Sequence, residues 1–343
     1  RLVGSEMCIR DRAGWVNSSA AVGWMERHQI ALYVVAIAAG LAAGWWIPGA
    51  HALEAWINPV LGLLLFATFL AVPFTAIGRA FADLRFLGAV LVLNFVIVPV
   101  VAFALSRFVA GNEALLLGVL LVLLAPCVDY VIVFSGLAGG ASDRLLAAAP
   151  LLMLAQMLLL PAYLWGFAGA ETVALVELAP FMEAFVVLIL IPLTAAAAVQ
   201  WTAPRAAVAR AVEGVMAAAM VPLMMATLFT VIASQVRGVG EQFGALVAVV
   251  PLYVAFLAVM VPIGILAART VGLDVRSSRA LVFTGATRNS LVVLPLALAL
   301  PASLALAPLV VVTQTLVELI GMVIFVRLIP RLLPELDPAP NPA

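Results

Sequence analysis

The sequence predicts an all-α polytopic membrane protein of about ten transmembrane helices. They are read as two inverted five-helix repeats, with spans 4 and 9 broken where they cross near mid-membrane. Three observations predict this. The 343 residues are 66% hydrophobic and only 10% charged, whereas a soluble domain is about half apolar and a quarter charged. Apolar stretches recur at the length that crosses a bilayer. The arginines between them fall almost wholly on one side.

A soluble chain must cover itself with polar groups, and this one has too few. Lipid is therefore the expected solvent for most side chains. Net charge is zero and lysine is absent, which argues against a nucleic-acid partner, because such proteins carry a basic face. The two cysteines, Cys8 and Cys127, give neither a disulfide framework nor a zinc spacing. His28 and His51 lie near predicted membrane edges and far apart, so no metal site is expected, and no cofactor motif is present.

The opening residues RLVGSEMCIRDR resemble translated adapter read-through, so residues 1–24 are expected to be non-native or disordered, with the native start at Met25. No cleavable signal peptide is expected, because the first apolar stretch runs straight into a membrane-length helix. Residues 25–333 then form one transmembrane domain, and 334–343 (PELDPAPNPA) a disordered tail.

A helix needs about 20 mostly apolar residues to cross the hydrocarbon core. The stretches 29–47, 55–77, 86–107, 114–137, 145–168, 178–201, 212–235, 242–268, 279–299 and 303–328 meet that length. One side holds both termini and the loops after spans 2, 4, 6 and 8. It carries Arg27, Arg79, Arg85, Arg144, Arg205, Arg210, Arg269, Arg276, Arg279, Arg327 and Arg331, against Arg107 and Arg237 on the other. The positive-inside rule places both termini in the cytoplasm, and a bacterial inner membrane is the expected location.

The halves, about 29–168 and 178–328, share a register mark. Span 5 has Ala149-Pro150, Gln156 and Leu158; span 10 has Ala307-Pro308, Gln314 and Leu316 at the same spacing. Five spans is an odd number, so the second half sits upside down relative to the first. That is the architecture of many secondary transporters.

Polar residues inside a membrane are costly and mark function by default. In span 4 Pro126 removes a helix hydrogen bond, and Cys127, Asp129 and Tyr130 follow. In span 9 Gly285, Thr287, Arg288, Asn289 and Ser290 interrupt the apolar run. Paired interruptions at matching places in two halves point to a transport site. The substrate-binding candidates are Cys127, Asp129, Arg288, Asn289 and Glu318. Asp129 and Arg288 can pair across the crossing, as a structural ion pair or in direct contact with substrate or proton. Glu318 has no evident basic partner and can carry a proton. Asn94, Gln156, Thr287, Ser290 and Gln314 are read as supporting polar groups, suited to hydrogen bonds between helices. Cys127 is either an inert small hydrophobe or a soft ligand for a thiophilic solute.

At these residues the chain resembles the bile acid/sodium symporter superfamily, and within it the arsenite efflux permeases. The resemblance runs from Met25 to about Leu333. Those permeases carry a cysteine in the broken fourth helix, proposed to bind arsenite, and Cys127 occupies that place. Their ninth helix reads roughly F-T-x-x-S-N-N-F-E-L; here Phe283, Thr284 and Asn289 match, Arg288 is added, and the glutamate falls on Leu291. Leu316-Val317-Glu318 matches the P-L-V-E of the tenth. The resemblance implies arsenite or metalloid efflux driven by the proton gradient. The wider superfamily implies instead a sodium-coupled symporter of an organic anion, with Arg288 neutralising the anion. A membrane sensor would need an appended signalling domain. An enzyme is not expected, since HExxH, GxSxG and a Gly-rich phosphate loop are absent.

Overall fold

The computed structural model describes residues 20–71, 82–128, 130–169, 183, 185–241 and 243–334. Cys8, Asp129 and the tail from 335 lie outside the described residues. Among the described residues every regular element is helical, with one isolated β-bridge between Pro126 and Arg288. Six helices are long and apolar enough to cross a membrane, and three shorter apolar ones accompany them: Ala31–Trp46, Glu113–Leu123 and Val186–Thr202.

The helices are α1 (Ala20–Arg27), α2 (Gln29–Trp46), α3 (Glu54–Ala71), α4 (Leu84–Val92) and α5 (Val98–Ser106). Next come α6 (Glu113–Leu123), α7 (Tyr130–Leu137), α8 (Ser142–Ala168), α9 (Ile191–Thr202) and α10 (Ala207–Glu241). The last are α11 (Phe243–Val271), α12 (Val275–Ala286), α13 (Ser290–Leu298) and α14 (Leu306–Leu332). Widened π-turns at Leu93–Ile97 and Val186–Leu190 lead into α5 and α9, each beside a proline, Pro99 and Pro192. Proline has no N–H to donate and clashes with the preceding turn, so the chain loosens there.

The chain divides into two compact units. The first comprises Arg1–Ala71 and Leu188–Arg237, and so contains α2, α3, α9 and most of α10. In it α2 closes on α10 through Gly40 and Gly44, a small-x3-small pair. A Cβ on Gly40 would lie 3.0 Å from the Phe229 carbonyl oxygen, and one on Gly44 would run into Val236 and the backbone of Ala233. In the same unit, Gln200 Nε2 donates to the Phe69 and Leu70 carbonyls at 3.2 and 3.0 Å. Both carbonyls belong to α3.

The second unit comprises Val72–Val187 and Gly238–Ala343. Its centre is α6, in which Ala114 through Leu123 are all buried. It packs on α14 where Gly118 faces Val310, 2.7 Å from a Cβ placed there. Arg144, in the first turn of α8, binds Asp83 at 2.9 Å and Asp274 at 3.0 Å. Asp83 and Asp274 are themselves the N-caps of α4 and α12, accepting from the amides of Phe86 and Ser277. One arginine thereby joins three helix starts.

Asp274 lies outside the apolar spans. Partial burial works to raise its pKa, but hydrogen bonds from Ser277 and the charge of Arg144 outweigh that and hold its carboxyl below the usual range. Its contribution to stability is therefore present above the unfolded-state pKa and lost as pH falls through the lower folded-state value. Asp274→Ala is expected to cost about 1 kcal/mol at neutral pH, the usual value of an N-cap. The gap to wild type should close as pH drops below about 4. Melting temperatures in detergent across that range check it.

Arg279, which hydropathy reading assigns to a loop, is instead buried inside α12. It donates to the Leu333 carbonyl at 2.9 and 3.0 Å and to the Ala138 carbonyl at 3.1 Å. Outward faces are apolar: Trp46, Phe108 and Leu158 are 76%, 85% and 78% exposed. The exposed tryptophans Trp45, Trp46, Trp56, Trp165 and Trp201 sit at helix ends, where amphipathic rings favour the membrane–water boundary.

Candidate functional site

The site begins with two interruptions. Pro126 cannot donate to the helix, so α6 stops at Leu123 and α7 starts at Tyr130. The polar run Thr287-Arg288-Asn289 separates α12 from α13. Each break supplies the backbone partners that the other lacks. The Asn289 amide donates to the Ala125 carbonyl at 2.7 Å, and the Cys127 amide to the Thr287 carbonyl at 3.5 Å. Irregular backbone is tolerated at membrane depth only when satisfied in this way. Asn289 then restarts the helix: its side-chain oxygen caps α13, accepting from the Val292 amide at 3.2 Å.

Glu318 comes to this crossing from α14. Its carboxylate accepts the backbone N–H of Arg288 at 2.8 Å, and it is held also by the Gln314 amide and the Tyr130 hydroxyl. That hydroxyl lies 2.8 Å from the Arg288 carbonyl as well; having one proton, it donates to one of the two at a time. The expectation that Glu318 lacks a basic side-chain partner thus needs an addition: three neutral donors surround it. Glu318 is 1% exposed.

Arg288 is fully buried, and its guanidinium hydrogen-bonds to groups other than Glu318. The guanidinium donates to Asn94 Oδ1 at 2.8 Å and to the carbonyls of Thr284 and Gly285 at 2.6 and 2.9 Å. Its other terminal nitrogen lies 3.4 Å from the Leu123 carbonyl, and Phe256 places its ring 5.6 Å away. Asn94, in the π-turn before α5, also donates to Thr284 Oγ1 at 3.2 Å. The Asp129 half of the expected ion pair lies outside the described residues.

Cys127, Thr287, Asn289 and Ser290 are buried at the crossing. Gln314 reaches it through Glu318. Gln156 is buried on α8. Sequence reading missed Tyr130, Thr284 and Phe256 as parts of the site. Tyr130 stood in the polar run after Pro126, and Thr284 in the ninth-span motif; Phe256 gave no signal, being one apolar residue in an apolar helix. Four buried side-chain atoms here have no hydrogen-bond partner: Arg288 Nε, Asn289 Nδ2, Ser290 Oγ and Gln314 Oε1. Most buried polar groups are paired, so a cluster of orphans calls for an explanation.

The profile of the sodium bile acid symporter family matches residues 58–246, more than half of the chain. The chain belongs to the sodium bile acid symporter family. Symporters are membrane transporters, and the apolar helices agree: this is a multi-pass membrane transporter. The family match takes in Pro126, Cys127 and Asn94 and ends before Arg288 and Glu318. No curated protein matches the chain.

Proposed function

We propose that the chain is a secondary active transporter of ten spans in two inverted five-helix repeats, exporting arsenite in exchange for protons. The make-up of the two units supports the repeat. One unit holds predicted spans 1 and 7 and the greater part of spans 2 and 6, and the other holds spans 3–5 and 8–10, so the two halves contribute corresponding members to each. The arginine distribution supports cytoplasmic termini.

The observation that carries the site is the orphan cluster at the crossing. Arg288 Nε and Asn289 Nδ2 can donate, Ser290 Oγ can do either, and Gln314 Oε1 can accept. That is the complement of a small solute bearing several hydroxyls, which As(OH)3 is. The Cys127 thiol adds the soft ligand: a sulfur–arsenic bond forms, one arsenic–oxygen bond breaks, and the displaced hydroxyl leaves as water with the thiol proton. Glu318 holds the coupling proton, and Asn94, Gln156 and Thr287 support the helices around it. Arsenite export from everted vesicles, with and without a pH gradient, tests this. Cys127→Ser is expected to lose at least about tenfold in rate, the worth of roughly 1.4 kcal/mol of transition-state binding; an unchanged rate sinks the thiol mechanism.

The family match favours a second reading, a sodium-coupled symporter of an organic anion. Sodium-stimulated uptake of such an anion, with no arsenite resistance conferred on a sensitive host, selects it.

A further inference from the structure

We infer that the Arg288 guanidinium is a tethered cation, seated in an oxygen cage at the crossing that would otherwise take a small monovalent cation.

Three of the cage oxygens are main-chain carbonyls, and each is available for the same reason. In a continuous helix the carbonyl of one residue accepts from the amide four residues on. The Leu123 carbonyl would take the Cys127 amide, but that amide donates to Thr287. The Thr284 carbonyl would take the Arg288 amide, but that amide donates to Glu318. The Gly285 carbonyl would take the Asn289 amide, but that amide donates to Ala125. The reciprocal pairing of the two breaks therefore turns two carbonyls loose, and the Glu318 contact turns loose the third. They are the ends of α6 and α12, so the negative ends of two helix dipoles converge there. Asn94 Oδ1 supplies a fourth oxygen and the Phe256 ring face a further cation-favouring surface.

Oxygens freed in an apolar interior need a donor or a cation. Here one side chain from the same crossing meets all four, with nitrogens at 2.6–3.4 Å. The four oxygens are carbonyl and amide, with no carboxylate among them. Hard cations take oxygen ligands, and divalent ones take carboxylates; this set suits a monovalent ion such as sodium. In this chain the place is filled from within, so the charge at the crossing does not depend on dissolved sodium. The inference shares the crossing with the transport reading, but its test reads binding rather than flux, so either can fail without the other.

The test uses full-length purified protein in detergent, with radioactive sodium binding and melting temperature in sodium against choline chloride at 150 mM. Wild type should show no saturable binding at this cage and the same melting temperature in both salts. Arg288→Ala and Arg288→Ser should gain saturable sodium binding and melt about 3 °C higher in sodium. Arg288→Lys, which keeps a cation on the tether, should gain less than either. Should the neutral variants be unstable in choline, sodium or millimolar guanidinium is expected to restore them. Neutral variants that bind no more sodium than wild type overturn the inference. So does a loss of folding that is equal in choline, sodium and guanidinium, because a vacated cage must then have failed to accept a cation.

Discussion

Replacing Glu318 by glutamine is expected to cut gradient-driven transport by about 100-fold, the low end of what a positioned proton-transfer group contributes. Glutamine keeps the shape and loses both the charge and one acceptor oxygen. The Arg288 and Gln314 amides donate to one oxygen of this carboxylate, and the Tyr130 hydroxyl donates to the other or to the Arg288 carbonyl. An NH2 group at the Tyr130 side can donate to the Tyr130 oxygen while Tyr130 donates to the Arg288 carbonyl, and the remaining oxygen still accepts from the Arg288 and Gln314 amides. No buried donor is then left unsatisfied, so the variant should melt close to wild type while losing transport. Glu318→Asp keeps the charge but draws it back from the donors, and should retain part of the transport. The pair of variants, assayed for transport and for melting temperature, separates the proton role from simple packing. If Glu318→Gln moves substrate down a pH gradient as fast as wild type does, the carboxylate does not couple.

Gly44→Leu is the second large effect. The side chain would be driven into Val236 and the backbone of Ala233 on α10. Backbone in a packed helix cannot step aside as a flexible side-chain tip can, so α2 and α10 must separate. Overpacking of this kind costs up to about 3 kcal/mol, a large share of the 5–15 kcal/mol that holds a typical protein folded. Gly166→Leu is the matched control: a Cβ at Gly166 meets nothing within 4 Å. In detergent the first variant should aggregate or melt far below wild type, and the second should behave like it. Equal melting of the two would show that close approach at Gly44 is not needed.

Much of this was legible from composition and spacing. Hydropathy located the apolar helices because lipid demands a long uninterrupted apolar run, and Pro126 with the run from Gly285 to Ser290 marked the breaks. Hydropathy erred where helices continue past the apolar core. Helix α10 extends to Ala207 and Glu241, outside the predicted 212–235, since alanine, arginine and glutamate are good helix formers in any solvent. Helix α12 begins at Val275, earlier than the apolar run, because Asp274 caps it; Arg279 therefore lies within a helix and not in a loop. Glu318 and Arg288 were recognised as costly residues, but their partners were not. Thr284, Gly285 and Gln314 are helical neighbours three or four residues back, whereas Asn94, Leu123, Tyr130 and Phe256 are brought in from other elements by tertiary packing that leaves no periodic trace. The GLAAG spacing of Gly40 and Gly44 was present in the sequence and is read as a packing seam only once α10 is beside it.

The mutual pairing of the two breaks also bears on biogenesis. As the chain leaves the ribosome, the segment around Pro126 enters the membrane long before the segment around Arg288 has been made. Until then the carbonyl of Ala125 and the amide of Cys127 have no lasting partner, so the early half must wait in an unfinished state. A chain that stops short of α12 cannot complete it, and quality-control proteases should recognise such a product as unfolded. Pulse-labelled truncations ending before and after Asn289 would mark the step in synthesis at which the protein becomes resistant to degradation.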